Sequence, residues 1–223
     1  MAEQRIQKLF ELEQLEHLLE KLSGKYGSPE LDITKNQLSF SNNSSILLRL
    51  PYSFSYLNNA LSPSNFLIII IHAGEAALGY SEEDQLIEHK MIKAYMVRQK
   101  QGKSQLKHLK TKGKSKAGSR VRLAGTEHFF EEINKKIAEW NQYFQINKIT
   151  ISCNKTLQPY FFNRADAALN KDDTRLLKIP KHIQEAKLEN LIFIHNYLIS
   201  TELKFDNADK DIITNITDFV EHE

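Results

Sequence analysis

The 223 residues contain one cysteine, five prolines and eight glycines, and the longest apolar run is FLIIII, Phe66 to Ile71. Cys153 alone cannot close an intramolecular disulfide, and no His/Cys cluster stands near it at metal-ligand spacing, so neither a metal nor a cofactor is expected. A lone thiol fits a reducing compartment. Six apolar residues fall far short of the roughly 20 that span a bilayer. The opening MAEQRIQKLF is polar where a secretory leader would be charged and then apolar. The expectation is a cytoplasmic chain with no membrane contact. Sparse Gly and Pro with 41% hydrophobic residues predict one sizeable core.

The most informative absence is of carboxylates. None occurs from His89 to Thr126, while Lys90 to Arg122 holds 12 Lys or Arg. The overall net charge of +2 therefore divides into +12 on this segment and −10 on the rest. A block of like charge repels itself unless a polyanion screens it, and counterion release makes nucleic acid the usual partner. The bland alternative is a solvated basic loop. Few aromatics lie inside the run, which argues against reading single strands by base stacking and leaves phosphate and shape recognition.

Familiar catalytic motifs are also missing. GKS occurs at Gly102 to Ser104 and at Gly113 to Ser115, but a phosphate-binding P-loop would need glycine at 97 and 108, where Val97 and His108 stand. There is no strand-borne G-x-G-x-x-G, no H-E-x-x-H and no serine elbow. Asp172-Asp173 and Glu82-Glu83-Asp84 read as capping and solvating groups, because sequence neighbours point apart on a helix or strand.

Ile6, Leu9, Phe10, Leu12, Leu15, Leu18, Leu19 and Leu22 recur at three- and four-residue steps, which predicts an amphipathic N-terminal helix ending at Ser23-Gly24. Such a helix covers a sheet or meets a protein partner. ILLRL reads as a strand, and FLIIII, apolar on both faces, as a central one. An extended segment near Glu88 to Val97 follows. Phe129, Ile133, Ile137, Trp140 and Phe144 predict a helix with Thr126 as N-cap. KITISC (strand), TLQPYFFNRADAAL (helix), TRLLKI (strand), Ile183 to Leu203 (helix) and a short helix in the last twelve residues complete the pattern. Alternation of this kind predicts an α/β fold: a mixed, partly parallel sheet flanked by helices. The expected organisation is an N-terminal helix over 1–24, an α/β domain over 25–205 with a long basic loop at 98–125, and a tail or short helix over 206–223. Loops this long are functional or disordered in compact domains.

Within the loop, Gln101, Gly102, Ser104, Gln105 and His108 form a polar tip, followed by Ala117-Gly118-Ser119-Arg120. An amide is no general base, but Gln105 could hold a water or substrate hydroxyl in line while Gly102 lets the backbone approach closely. His108, one helical turn on, titrates near neutrality and is a candidate base. Lys107, Lys110, Lys112, Lys114 and Lys116 read as tracking an RNA backbone.

VRQKQGKSQ at Val97 to Gln105, then Ala117-Gly118-Ser119, Arg122-Leu123, the aromatic-rich segment Phe129 to Trp140, His89-Lys90, Tyr95 and RLLKIP at Arg175 to Pro180 resemble the release-factor-like domain of the Vms-type ribosome quality-control family. That domain is in turn similar to the catalytic domain of the eukaryotic and archaeal peptide-chain release factor, whose tip reads Gly-Gly-Gln. The resemblance covers roughly Phe66 to Leu203. It implies an enzyme without cofactor or metal that enters the peptidyl-transferase centre of the large ribosomal subunit and acts on the acceptor end of peptidyl-tRNA. It implies Gln105 as catalytic glutamine, Gly102, Lys103 and Ser104 as the tip, and Arg98, Lys100, Arg120 and Arg122 as basic arms binding phosphates. Lys103-Ser104 stand where the release factors carry two glycines, and such residues adopt φ > 0 poorly, which favours phosphodiester cleavage over ester hydrolysis. The competing reading is a non-catalytic factor whose basic loop binds transfer or ribosomal RNA for rescue or occupancy.

Overall fold

The computed structural model describes residues 3–94 and 115–221, with side chains over 4–94 and 125–218. Two five-stranded sheets organise it. The first is mixed, in the order β11-β10-β7-β8-β9. It comprises β7 (Phe66–His72), β8 (Glu75–Glu82), β9 (Gln85–Lys93), β10 (Lys148–Cys153) and β11 (Leu176–Lys178). β10 runs parallel to β7 and β11, while β8 is antiparallel to both of its neighbours. The predicted mixed α/β sheet is present, and FLIIII is its middle strand.

β7 is apolar on both faces because both are covered. Leu67, Ile69 and Ile71 join one core with Phe129, Phe130, Ile133, Ile137 and Trp140 of helix α2 (Ser115–Tyr143). Phe66, Ile68 and Ile70 join another with Leu191, Ile194 and Leu198 of α4 (Leu188–Ile199). Each such side chain gains roughly 1.5–3 kcal/mol over leaving it in water. At Gly79 of β8 a Cβ would sit 3.1 Å from Leu191 Cδ1, so glycine lets α4 lie close on the sheet.

The second sheet is antiparallel, in the order β1-β12-β4-β3-β2. Its strands are β1 (Glu3–Lys8), β2 (Pro29–Asp32), β3 (Gln37–Phe40), β4 (Asn43–Arg49) and β12 (Thr201–Asp206). One face carries Leu38, Phe40, Ile46, Leu48, Leu203 and Phe205 into a core with Leu15, Leu18 and Leu22 of α1 (Leu12–Tyr26) and Ile213 of α5 (Lys210–Glu221). The alternate residues, among them Arg5, Gln37, Arg49, Glu202 and Lys204, form the other, polar face, as antiparallel sheets permit. A small hairpin, β5 (Phe54–Leu57) and β6 (Ala60–Pro63), and a 3-10 turn at Ile33–Lys35 complete this half.

Four expectations are corrected. Residues 3–8 are a strand paired with β12, and the N-terminal helix starts at Leu12, where Glu11 and Gln14 form a capping box. Helix α2 begins at Ser115, so Thr126 lies inside it and is no N-cap; Lys, Ala, Arg and Leu outweigh Gly118 and Gly125 there. Only Gln158–Phe162 of the predicted TLQPYFFNRADAAL helix is helical (α3), because the following turn is held instead by Arg164–Asp166 and by Asn134. The last long helix stops at Ile199, and Thr201–Asp206 alternates as β12.

Candidate nucleic-acid interface at one edge of the mixed sheet

Because β8 alone is reversed, β7, β9, β10 and β11 share a direction and end at one edge, at His72, Lys93, Cys153 and Lys178. The carboxyl ends of parallel strands are where α/β sheets usually hold ligands. Lys93 pairs with Glu75, and the Ala94 amide donates to the Gly74 carbonyl at 2.8 Å, anchoring one end of the basic segment. Gly74, with φ 85°, lies in the two-residue turn that joins β7 to β8.

The other end is α2. Its C-terminal residues lead directly into β10, so its N-terminus points toward the carboxyl edge. A 29-residue helix spans about 43 Å, against about 30 Å for the nine residues of β9. Among its described side chains the first buried ones are Phe129 and Phe130, while Glu127 and His128 are exposed. The first turns therefore stand beyond the sheet, and no acidic residue lies in them. Aligned peptide dipoles make that terminus favour anions.

The base of this projection is rigidly held. Lys90 of β9 reaches Glu132 of α2 at 3.8 Å. Buried Asn134 donates to the Phe130 and Phe161 carbonyls at 3.1 and 3.3 Å and accepts from the Ala168 amide at 3.0 Å, tying α2 to the connection after β10. Arg175, in the segment RLLKIP, forms a two-pronged pair with Asp173 and donates to the Ile146 carbonyl at 3.2 Å. Its hydrogen bonds to Asp173 hold that carboxyl below the usual carboxylate range. Arg175 thus closes the turn into β11.

Cys153, at the end of β10, has its thiol pushed up to about 11 by burial, so it is no thiolate nucleophile near neutrality. His72, at the end of β7, has a buried Nε2 with no hydrogen-bond partner among the described residues. Nothing in the local residue pattern marks it beyond its place before a hairpin glycine. Among the described residues no group of three or more His, Cys, Asp or Glu is placed to hold a metal ion. No helix among them is long and apolar enough to cross a membrane.

Of the residues singled out from the sequence, Arg98, Lys100, Gly102, Lys103, Ser104, Gln105, Lys107, His108, Lys110, Lys112 and Lys114 lie outside the described residues. Lys116, Arg120 and Arg122 lie in the first turns of α2, with side chains outside the description.

Residues 66–205, more than half of the chain, match the family described as Bacteroidetes VLRF1 release factor. The chain belongs to that family. The match opens on the first residue of β7 and closes one residue before the end of β12. It takes in the whole mixed sheet, the basic segment and α2. Membership places the chain among release-factor-like proteins, in agreement with the resemblance read from VRQKQGKSQ and its surroundings. A search of curated proteins found no match. Among solved structures, one titled "Vms1 mitochondrial localization core" is similar over 82% of this chain and 79% of its own, with 16% identity and a TM-score of 0.44.

Proposed function

We propose that this protein acts at the ribosome on the acceptor end of peptidyl-tRNA, releasing stalled nascent chains by cutting within the acceptor arm. The reading is supported chiefly by one coincidence: the family match spans the mixed sheet, and the carboxylate-free segment leaves that sheet at its carboxyl edge, between Ala94 and the projecting helix α2.

In the proposed reaction Gln105 orients the attack and the lysines and arginines of the segment neutralise phosphates. A 2′-hydroxyl oxygen of the acceptor arm bonds to the adjacent phosphorus as the phosphorus–O5′ bond breaks. The 2′-hydroxyl proton passes to a base, for which His108 is the candidate, and a proton returns to the leaving O5′. The products are a 2′,3′-cyclic phosphate and a 5′-hydroxyl fragment carrying the peptide. Cations around the developing phosphorane charge lower the barrier, and in-line placement supplies much of the remainder.

The test is stalled ribosome-bound peptidyl-tRNA incubated with wild-type protein or Gln105→Ala, followed by sequencing of tRNA 3′ ends and analysis of the released peptide. Shortened ends made only by wild type are expected. Intact ends with free peptide would replace the nuclease by an ester hydrolase. Retained ribosome binding without release by either protein would make it a non-catalytic factor.

A further inference from the structure

A second basic surface is formed by described residues remote in sequence from 95–114. Between the polar face of the antiparallel sheet and the ends of β10 and β11 is an open cleft of about 920 Å³. Six cations line it, Arg5, Lys35, Arg49, Lys178, Lys181 and Lys204, against a single carboxylate, Glu202. They come from both walls. Arg5, Arg49 and Lys204 project from β1, β4 and β12, Lys35 from the 3-10 turn, and Lys178 and Lys181 from the end of β11 and the loop beyond it.

The floor is built. Arg49 is 3% exposed, donates to the Tyr197 and Ser200 carbonyls at 3.0 and 2.9 Å, and lies over the Tyr197 ring at 4.3 Å. Its Nη1 is buried with no hydrogen-bond partner among the described residues. Glu202 is shared between Arg49 at 3.4 Å and Arg5 at 3.8 Å, and also accepts from the Tyr197 hydroxyl. One shared carboxylate leaves the cleft strongly positive, and concave, low-dielectric walls focus that field. Lys35 is partly offset by Asp32 at 2.9 Å.

We propose that this cleft binds the phosphate backbone of RNA, as a second contact on the same molecule whose acceptor end meets the 95–114 segment. The inference rests on the proposed action on peptidyl-tRNA. The cleft is far larger than one phosphate needs, and its cations are distributed over two walls rather than converging on a point. It also opens at the same edge of the mixed sheet from which the basic segment leaves. In the order β11-β10-β7-β8-β9, β9 lies three strands from β10 and four from β11, or roughly 15–20 Å at about 4.8 Å per strand. One RNA can therefore follow the edge from the end of β9 to the cleft.

The experiment measures binding of a fluorescein-labelled RNA hairpin copying a tRNA acceptor arm, by anisotropy over a range of NaCl concentrations. The cleft variant is Lys35→Gln/Lys178→Gln/Lys204→Gln, with thermal melts confirming that it folds. The control, which removes the same three charges, is Lys21→Gln/Lys25→Gln/Lys210→Gln, on the helices behind the antiparallel sheet. A third variant, Lys107→Gln/Lys110→Gln/Lys112→Gln, neutralises the segment itself. The expected result is a loss of affinity of tenfold or more for the cleft variant. The slope of log affinity against log salt should also shrink by about two to three, near one per phosphate contact removed. The control should match wild type.

If the cleft variant matches wild type while the segment variant loses binding, the cleft is not an RNA site although the proposed function stands. If cleft variant and control weaken alike, the effect is net charge and the proposal falls. Wild type that shows no salt-dependent binding overturns both readings. A cleft that binds inorganic phosphate, with RNA affinity unchanged in the cleft variant, belongs to a small anion, which also overturns the proposal.

Discussion

Glu202 stands opposite Arg49 in the β12–β4 ladder, and its Oε2 lies 3.4 Å from Arg49 Nε and 2.8 Å from the Tyr197 hydroxyl. The trio joins the end of α4 to the antiparallel sheet. Burial opposes the charge on Glu202, but the Tyr197 hydroxyl, Arg49 and Lys204 outweigh it and hold the carboxyl below its ordinary value. The stabilisation is complete above the unfolded-state value near 4.3 and is lost as pH falls through the lower folded value. Glu202→Gln should cost about 3 kcal/mol in urea denaturation at pH 7, because it leaves a buried guanidinium without its counter-charge. The acid limb of the stability profile should flatten in the same variant. An unchanged midpoint would mean that solvent in the cleft already screens the pair.

Lys148 is buried at the start of β10, where its Nζ donates to the Tyr52 and Phe54 carbonyls. Burial pulls it down to about 7. A lysine whose folded value lies below its unfolded value of 10.5 binds fewer protons folded than unfolded between the two, so stability rises with pH across that window. The slope reaches roughly 1.4 kcal/mol per pH unit. Thermal or urea unfolding between pH 7 and 9.5 should show the rise in wild type and lose it in Lys148→Met. Tyr26, Tyr80 and Tyr197, each pushed up to about 12 by burial first, oppose the trend only at higher pH.

Asn134 ties α2 to α3 through the Phe161 carbonyl and to the 163–168 turn through the Ala168 amide, while its third hydrogen bond stays within α2. Asn134→Leu should destabilise by roughly 1–3 kcal/mol, since it strands the Ala168 amide and takes a donor from the Phe161 carbonyl. Amide exchange at Ala168 should accelerate by more than global destabilisation requires. Protection that follows global stability alone would show that the turn is held by packing.

The hairpin joining β8 to β9 turns on Glu83 and Asp84, with φ 49° and 58°. Both central residues at positive φ suit a type I′ turn, for which Asn-Gly is the preferred pair. Glu83→Asn/Asp84→Gly should therefore stabilise by about 1 kcal/mol and raise the melting temperature by several degrees. Asp84 Oδ1 is buried without a partner among the described residues, so its removal adds to the gain.

That hairpin also shows why part of the fold was legible in the sequence and part was not. FLIIII announces a strand buried on both faces, and Phe129 to Phe144 announces a helix, because each pattern is strong over a long window. EAALGYSE gave no comparable alternation, and Glu-Glu-Asp is not turn chemistry, so β8 went unread between two better signals. Of the antiparallel sheet only ILLRL, in β4, was legible. Its other strands are only four to six residues long, too short a window for alternation to outweigh a competing helical spacing. Ile6 fits a helical spacing as readily as β1, and Leu203 extends the α4 pattern as readily as it fits β12. At the candidate site, the basic segment was legible from charge alone. The cleft was not, because Arg5, Arg49, Lys178 and Lys204 are scattered along the chain and only the fold gathers them.

The family match ends inside β12, yet β12 belongs to the antiparallel sheet, between β1 and β4. A fragment starting at Phe66 would carry that strand with both hydrogen-bonding edges bare and Leu203 and Phe205 stripped of α1. Bare edges with apolar faces invite pairing with other chains. The first 65 residues therefore sheathe a strand that the release-factor-like region cannot cover by itself.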